Sequence, residues 1–232
     1  MTKAIAKTVS FLFHPLLILT YSLVLLILVD PYAFGANDIY NPKSKILILR
    51  IFLSTFFIPF LSILMLYFLG MVRTLNLEDK MDRTGPYIIT GIFYLWLFRN
   101  FWDSSIIPPL YATFMLGATV ALFLAFLINI FSKISIHTVG IAALISMIVL
   151  TMVFIQNNAF VVLIPFIGVF QISVLNLLLG VIIIAGVLGT CRYYLQNYEP
   201  NELYGGYMVG FLAPFIALQI MVAFGKIQLP IL

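Results

Sequence analysis

The sequence predicts an all-α fold: a polytopic integral membrane bundle of six or seven transmembrane helices. Two observations carry this expectation. Hydrophobic residues make up 63% of the 232-residue chain and charged residues only 9%, with a mean hydropathy of +1.16. A water-facing surface usually carries charge on roughly a quarter of residues, so a soluble domain is excluded. Disorder is excluded as well, because disordered segments carry far less apolar surface. The second observation is spacing. Long apolar runs recur, and a helix needs roughly 20 apolar residues to cross a bilayer core about 30 Å thick, where backbone groups must bond internally.

The runs are Phe11–Val29, Ile46–Val72, Tyr87–Phe101, Leu110–Phe131, Val139–Ile155, Phe160–Thr190 and Leu203–Phe224. Lys3 and Lys7 ahead of the first run resemble the start of a signal peptide. No small-residue cleavage site follows, and Pro15 interrupts the run, so it reads as an uncleaved first membrane helix. The third run is short and ends near Arg99, which leaves it crossing, tilted or re-entrant. That is why the count is seven, with six as the alternative. The sixth run is long: Gln156, Asn157 and Asn158 make the turn before it, and Pro165 is expected to kink its first part. The chain reads as one transmembrane domain over 1–232, with an N-terminal helix pair over 1–75 and a core over 76–224.

With seven crossings, parity puts three polar stretches on one face: 80–86, 132–138 and the residues from Arg192 onward. The same parity brings His14 to that face. It holds Lys3, Lys7, Arg73, Lys80, Arg83, Lys133 and Arg192, against Lys43, Lys45, Arg50, Arg99 and Lys226 opposite. The positive-inside rule makes the richer face cytoplasmic, as expected in an inner (cytoplasmic) membrane, unless its cations serve a site instead.

Other counts exclude classes of chemistry. The net charge is +4, from 12 basic and 8 acidic residues. These are scattered rather than clustered, which gives no footprint for nucleic acid. One cysteine, Cys191, and two histidines make neither an internal disulfide nor a protein-only zinc site, so no metal is expected. Nothing in the sequence requires a cofactor. The twelve tyrosines and 22 phenylalanines read as lipid-facing and interfacial residues.

Each polar stretch has a structural and a functional reading. Glu78-Asp79-Lys80-Met81-Asp82-Arg83-Thr84-Gly85-Pro86 is either a solvated loop of mutually paired charges or a place where Lys80 and Arg83 meet a phosphate. Pro86 is then expected to open the next helix, where a missing N–H costs nothing. In Ser132–Thr138, His137 lies at a helix N-terminus, where the dipole and free N–H groups favour an anion. Alternatively it is a hydrogen-bonded interfacial residue. Arg192 follows a long apolar run and could simply snorkel to the headgroups. Gly205-Gly206 further on allow close helix packing.

The order of the three stretches is more specific than any one of them. A basic residue with Pro, then Ser-x-His, then Arg followed by Tyr-Tyr-Leu, an acid and Gly-Gly resembles the type 2 phosphatidic acid phosphatase superfamily. The resemblance runs from Lys80 to Glu202 and into the last helix. It implies a metal-free phosphate site in which Lys80, Arg83, Ser135 and Arg192 bind the phosphoryl group. His137 would be the general acid that protonates the leaving alcohol. It also implies a membrane-lipid partner, phosphorylated, that reaches the site laterally between helices.

Several positions depart from the family pattern. Ile134 and Ile136 stand for its Pro and Gly, and Cys191 for its Ser. Tyr198 occupies the position of the nucleophilic histidine and Glu202 that of the orienting aspartate. A phenol is a poor nucleophile at neutral pH unless a cation or base activates it. The remaining histidine, His14, is on the expected face and is the candidate to replace the missing nucleophile or base; the alternative is a histidine bonded to a helix carbonyl. Two functions follow: a lipid-phosphate phosphatase, or a catalytically inactive relative that binds lipid phosphate or serves as a subunit of a membrane assembly. A transporter would be expected to carry charges mid-helix. Here Gln171 and Asn176 are the main polar residues inside a run, and they read as interhelical hydrogen-bonding groups.

Overall fold

A computed structural model of the chain describes residues 3–74, 77, 79–104, 106–155, 159–164, 168–196 and 198–229. Six of its helical segments are long and apolar enough to cross a membrane: Lys3–Val29, Pro42–Phe68, Pro109–Phe131, Ile136–Phe154, Val174–Leu195 and Pro200–Ala223. The first comprises α1 (Lys3–Leu12), a tight turn at Pro15–Leu17 and α2 (Ile18–Val29). The second comprises α3 (Pro42–Phe52), a wide turn at Leu53–Phe57 and α4 (Ile58–Phe68). Then follow α5 (Lys80–Phe101), α6 (Pro109–Phe131), α7 (Ile136–Phe154), α8 (Val174–Gln196) and α9 (Pro200–Ala223). The chain is a polytopic, largely helical membrane protein.

The third sequence run is therefore the tail of a longer helix. Helix α5 starts at Lys80, with Asp79 as its extended cap, and Pro86 lies inside it rather than at its start. At 22 residues it matches the 23 of α6, its neighbour. Asn129 Nδ2 donates to the Lys80 carbonyl at 3.0 Å and Lys80 Nζ donates to the Phe131 carbonyl at 3.4 Å, which pins the start of one helix to the end of the other. From Lys80 to Pro86 the stretch expected as a charged loop is the first two turns of this helix.

The sixth run also departs from expectation. Its first part is a β-hairpin, β1 (Ala159–Ile164) paired antiparallel with β2 (Gly168–Ser173), and α8 begins only at Val174. A 31-residue apolar helix would overshoot a single crossing. The Val-, Ile- and Phe-rich sequence suits strands, and Gly168 takes φ +133°, a value that side chains other than glycine rarely adopt. Pro165, expected to kink a helix, and the turn expected at 156–158 lie outside the described residues.

Helix α7 is the centre of the bundle: 72% of its most apolar window is buried, against 22% for Pro42–Phe68. Glycines explain how closely its partners approach. A Cβ on Gly210 would collide with the Val139 carbonyl, and one on Gly206 would lie 2.8 Å from the Ser135 carbonyl oxygen. At Gly117 a Cβ would come within 2.8 Å of the Pro214 Cα, so α6 and α9 are also in close contact. Gly140 lets the first span break beside α7, its own Cβ position lying 3.1 Å from the Pro15 Cα.

Candidate functional site

Three backbone and side-chain links draw the polar stretches together at one end of the bundle. Arg83 Nη1 donates to the Ile134 carbonyl at 2.9 Å and Arg83 Nη2 donates to the Tyr198 hydroxyl at 2.7 Å. The Ser135 N–H donates to the Glu202 carbonyl at 3.3 Å. Arg83 and Tyr198 line a cavity of about 460 Å³ at this end.

The break in the first span supplies one wall. Pro15 cannot donate a backbone hydrogen bond, and His14 before it is extended, its Nδ1 accepting from the Leu16 N–H at 3.3 Å. This mid-span cap leaves the His14 imidazole facing His137, with ring centroids 5.5 Å apart and planes at 84°. His137 is in the first turn of α7 and is 9% exposed. Its Nδ1 is buried with no hydrogen-bond partner.

Helix α5 supplies a second wall through a polar stripe. Arg83, Tyr87, Thr90 and Tyr94 follow at intervals of four, three and four residues, which places them on one helical face, and all four line the cavity. Arg83 is 5% exposed, and its Nε donates to the Leu77 carbonyl at 2.6 Å. Arg192, near the end of α8, is 7% exposed and lines the cavity with Tyr198. The Tyr198 ring is ringed by cations: Lys133 Nζ at 4.4 Å from its centroid, Arg83 Cζ at 5.4 Å and Arg192 Cζ at 5.7 Å. These are cation–π distances.

The charge balance of the cavity is one-sided. Lys7, Arg83 and Arg192 line it, and no aspartate or glutamate does among the described residues. The three acceptors around Arg83 are neutral oxygens. Below this polar end the lining turns apolar, with Ile18, Leu19, Ala118, Ala121, Leu122 and Ala143. The cavity is therefore amphiphilic, cationic at one end of the bundle and greasy toward its centre.

The residues singled out in the sequence divide between the cavity and its surroundings. His14, Arg83, His137, Arg192 and Tyr198 line it. Lys80 stands outside, exposed and bonded to the Phe131 carbonyl. Ser135 is fully buried beneath the start of α7, with its Oγ unpartnered, and does not reach the cavity wall. Glu202 is also outside. Its carboxylate accepts from the Glu199 N–H at 2.9 Å in a capping box that starts α9, so it is not arranged to orient Tyr198. Sequence reading overlooked Lys7, Ser10, Tyr87 and Thr90. Helical spacing could have found them, since Lys7, Ser10 and His14 fall at i, i+3 and i+7, and Arg83, Tyr87 and Thr90 at i, i+4 and i+7. Among the described residues, no cluster of three or more metal-ligating side chains occurs.

Comparison with protein-family models, curated proteins and solved structures finds no match to this chain.

Proposed function

We propose that this membrane protein binds the phosphate of a membrane lipid in the cavity, with the phosphate between Arg83 and Arg192 and the lipid chain along the apolar lining. One observation carries the reading: Arg83 is buried with neutral oxygens as its acceptors, and it shares with the buried Arg192 a cavity that no carboxylate lines among the described residues. Burying a cation costs several kcal/mol unless an opposite charge compensates it. Arginine is also the side chain best suited to hold phosphate oxygens through paired N–H groups. The resemblance of Ser135-x-His137 and Arg192 to phosphatidic acid phosphatases points the same way.

Binding without turnover is the better-supported form of this reading. At the position of the family's nucleophile, Tyr198 presents a phenol whose oxygen already accepts from Arg83. Glu202 is committed to its helix cap. One observation favours a phosphatase instead, the facing pair of imidazoles at His14 and His137.

The test offers purified protein in detergent phosphatidic acid, phosphatidylglycerol phosphate and polyprenyl pyrophosphate, measuring both bound lipid and released phosphate. Saturable binding that weakens about tenfold to hundredfold in Arg192→Ala, the scale of a lost charged hydrogen bond, with no released phosphate, supports the binder. Release abolished by His137→Ala supports the phosphatase. Binding indifferent to Arg192 defeats both.

A further inference from the structure

A second charged cluster, at the other end of the bundle, takes no part in the cavity. From Arg83 to Arg99, α5 rises about 24 Å at about 1.5 Å per residue, against a bilayer core about 30 Å thick. Helices α5 and α9 both end here, at Phe101 and Ala223. Gly225 takes φ +65° and turns the chain back, so that the Lys226 N–H bonds the Met221 carbonyl at 2.9 Å, a glycine cap of the usual kind. The turn brings Lys226 Nζ to 2.6 Å from Asp103 Oδ1 and to 4.9 Å from the Trp102 ring centroid. Arg99, one helical turn before Asp103, places Nη1 3.8 Å from Oδ2 of the same carboxylate. Trp102 makes edge-to-face contacts with Phe98 and Phe224, at centroid distances of 5.3 and 5.6 Å.

Arg99, Trp102, Asp103 and Phe224 line a niche of about 420 Å³ together with Leu116 and Ile220. Two cations thus share one carboxylate, which leaves the niche with a surplus positive charge. Only one of the three Lys226 N–H groups is needed for Asp103, and Arg99 stands beyond hydrogen-bond distance of it. The side chains of Arg99 and Asp103 are 76% and 67% exposed, and that of Lys226 is 31% exposed. The apolar side of the niche is uncovered too: Phe224 is 68% exposed. What completes such a set is an anion with hydrocarbon attached.

We infer that this niche binds an anionic phospholipid, its phosphodiester between Arg99 and Lys226 and an acyl chain against Leu116, Ile220 and Phe224. Basic pockets between membrane helices hold anionic headgroups, and Trp102 is of the residue type that marks headgroup depth. A zwitterionic lipid brings its own ammonium to the surplus positive charge and binds less well. This site is independent of the cavity between Arg83 and Arg192.

The chain's two tryptophans make the test internal. Trp96→Phe leaves Trp102 as a reporter in the niche, and Trp102→Phe leaves Trp96, which is exposed on α5 outside it. Full-length protein is reconstituted in phosphatidylcholine bilayers with a rising fraction of brominated phosphatidylglycerol or, in parallel, brominated phosphatidylcholine. Quenching of Trp102 is expected to show a preference for the anionic lipid of about fivefold or more, and quenching of Trp96 none. Arg99→Gln/Lys226→Gln should abolish the preference. Asp103→Asn, which removes the shared carboxylate, should strengthen it. Lys43→Gln/Lys45→Gln, which changes two exposed residues at the start of α3, should leave it unchanged, as should millimolar inorganic phosphate. Equal quenching of Trp102 by the two lipids, or an equal preference at Trp96, overturns the inference. So does a preference that survives Arg99→Gln/Lys226→Gln, falls in Asp103→Asn, or is lost in Lys43→Gln/Lys45→Gln. Loss of the preference to inorganic phosphate overturns the lipid as ligand in favour of the free anion.

Discussion

Arg83 and Tyr198, 115 positions apart, meet through a 2.7 Å hydrogen bond from the guanidinium Nη2 to the phenol oxygen, with both side chains buried. The bond closes the polar end of the bundle, joining the start of α5 to the loop between α8 and α9. It also places a neutral oxygen where an anionic one would bind more strongly, because hydrogen bonds to charged acceptors are roughly twice as strong as neutral ones.

Tyr198→Phe should therefore separate stability from binding. Without ligand, Arg83 loses a buried acceptor and the melting temperature should fall, for a cost of about 1–3 kcal/mol. With an alkyl phosphate present, the vacated N–H is free for the anion, so ligand should raise the melting temperature more in the variant than in the wild type. Thermal unfolding in detergent with and without ligand measures both. An equal ligand shift in the two proteins would show that Tyr198 does not compete for the site.

Arg83 and Lys80 should differ sharply, although their spacing alone makes them look equivalent. Arg83 lines the cavity, whereas Lys80 is exposed and bonded to the Phe131 carbonyl. Arg83→Gln should weaken alkyl phosphate binding about tenfold or more. Lys80→Gln should leave it nearly unchanged, since exposed charges contribute little through solvent. An equilibrium titration of both variants checks this, and a large loss in Lys80→Gln would place the headgroup elsewhere.

The α7–α9 contact yields a paired test of packing. Gly210→Ala drives a methyl group into the Val139 carbonyl and should destabilise the protein by about 1–3 kcal/mol, the usual range for overpacking. Gly205→Ala, where a Cβ meets nothing within 4 Å, should be neutral or slightly stabilising because alanine favours helix. Melting temperatures of the two variants decide the matter. Equal effects would mean that the helices do not cross where Gly210 lies.

Much of the architecture could be read from hydropathy, because a crossing helix writes its length into an unbroken apolar run. The spans ending near Val29, Phe131 and Phe154 follow that rule. The hairpin at 159–173 did not show itself, since a fully apolar strand and an apolar helix share the same composition and differ only in β-branching and in Gly168. The start of α5 was hidden for a different reason. Five charges in six residues look like a loop, yet Asp82 and Arg83 are buried in a helix: Asp82 accepts from the Arg73 N–H just upstream, and Arg83 reaches Ile134 and Tyr198 in distant segments. For the site, motif order pointed to His137, Arg192 and Arg83, while the polar stripe through Tyr87 and Thr90 needed helical phase rather than motif. Lys80 is tied up by a tertiary hydrogen bond to the Phe131 carbonyl that no spacing encodes, whereas the cap that holds Glu202 is local, with Glu199 and Glu202 at i and i+3.

The most direct measurement is native mass spectrometry of delipidated protein titrated with phosphatidic acid, comparing the wild type with Arg83→Gln/Arg192→Gln. The account predicts one tightly held lipid per wild-type chain and its loss in the double variant, with loosely bound annular lipid unchanged. Retention of that single lipid by the double variant, in a protein of unchanged melting behaviour, would contradict the assignment of the cavity to a lipid phosphate.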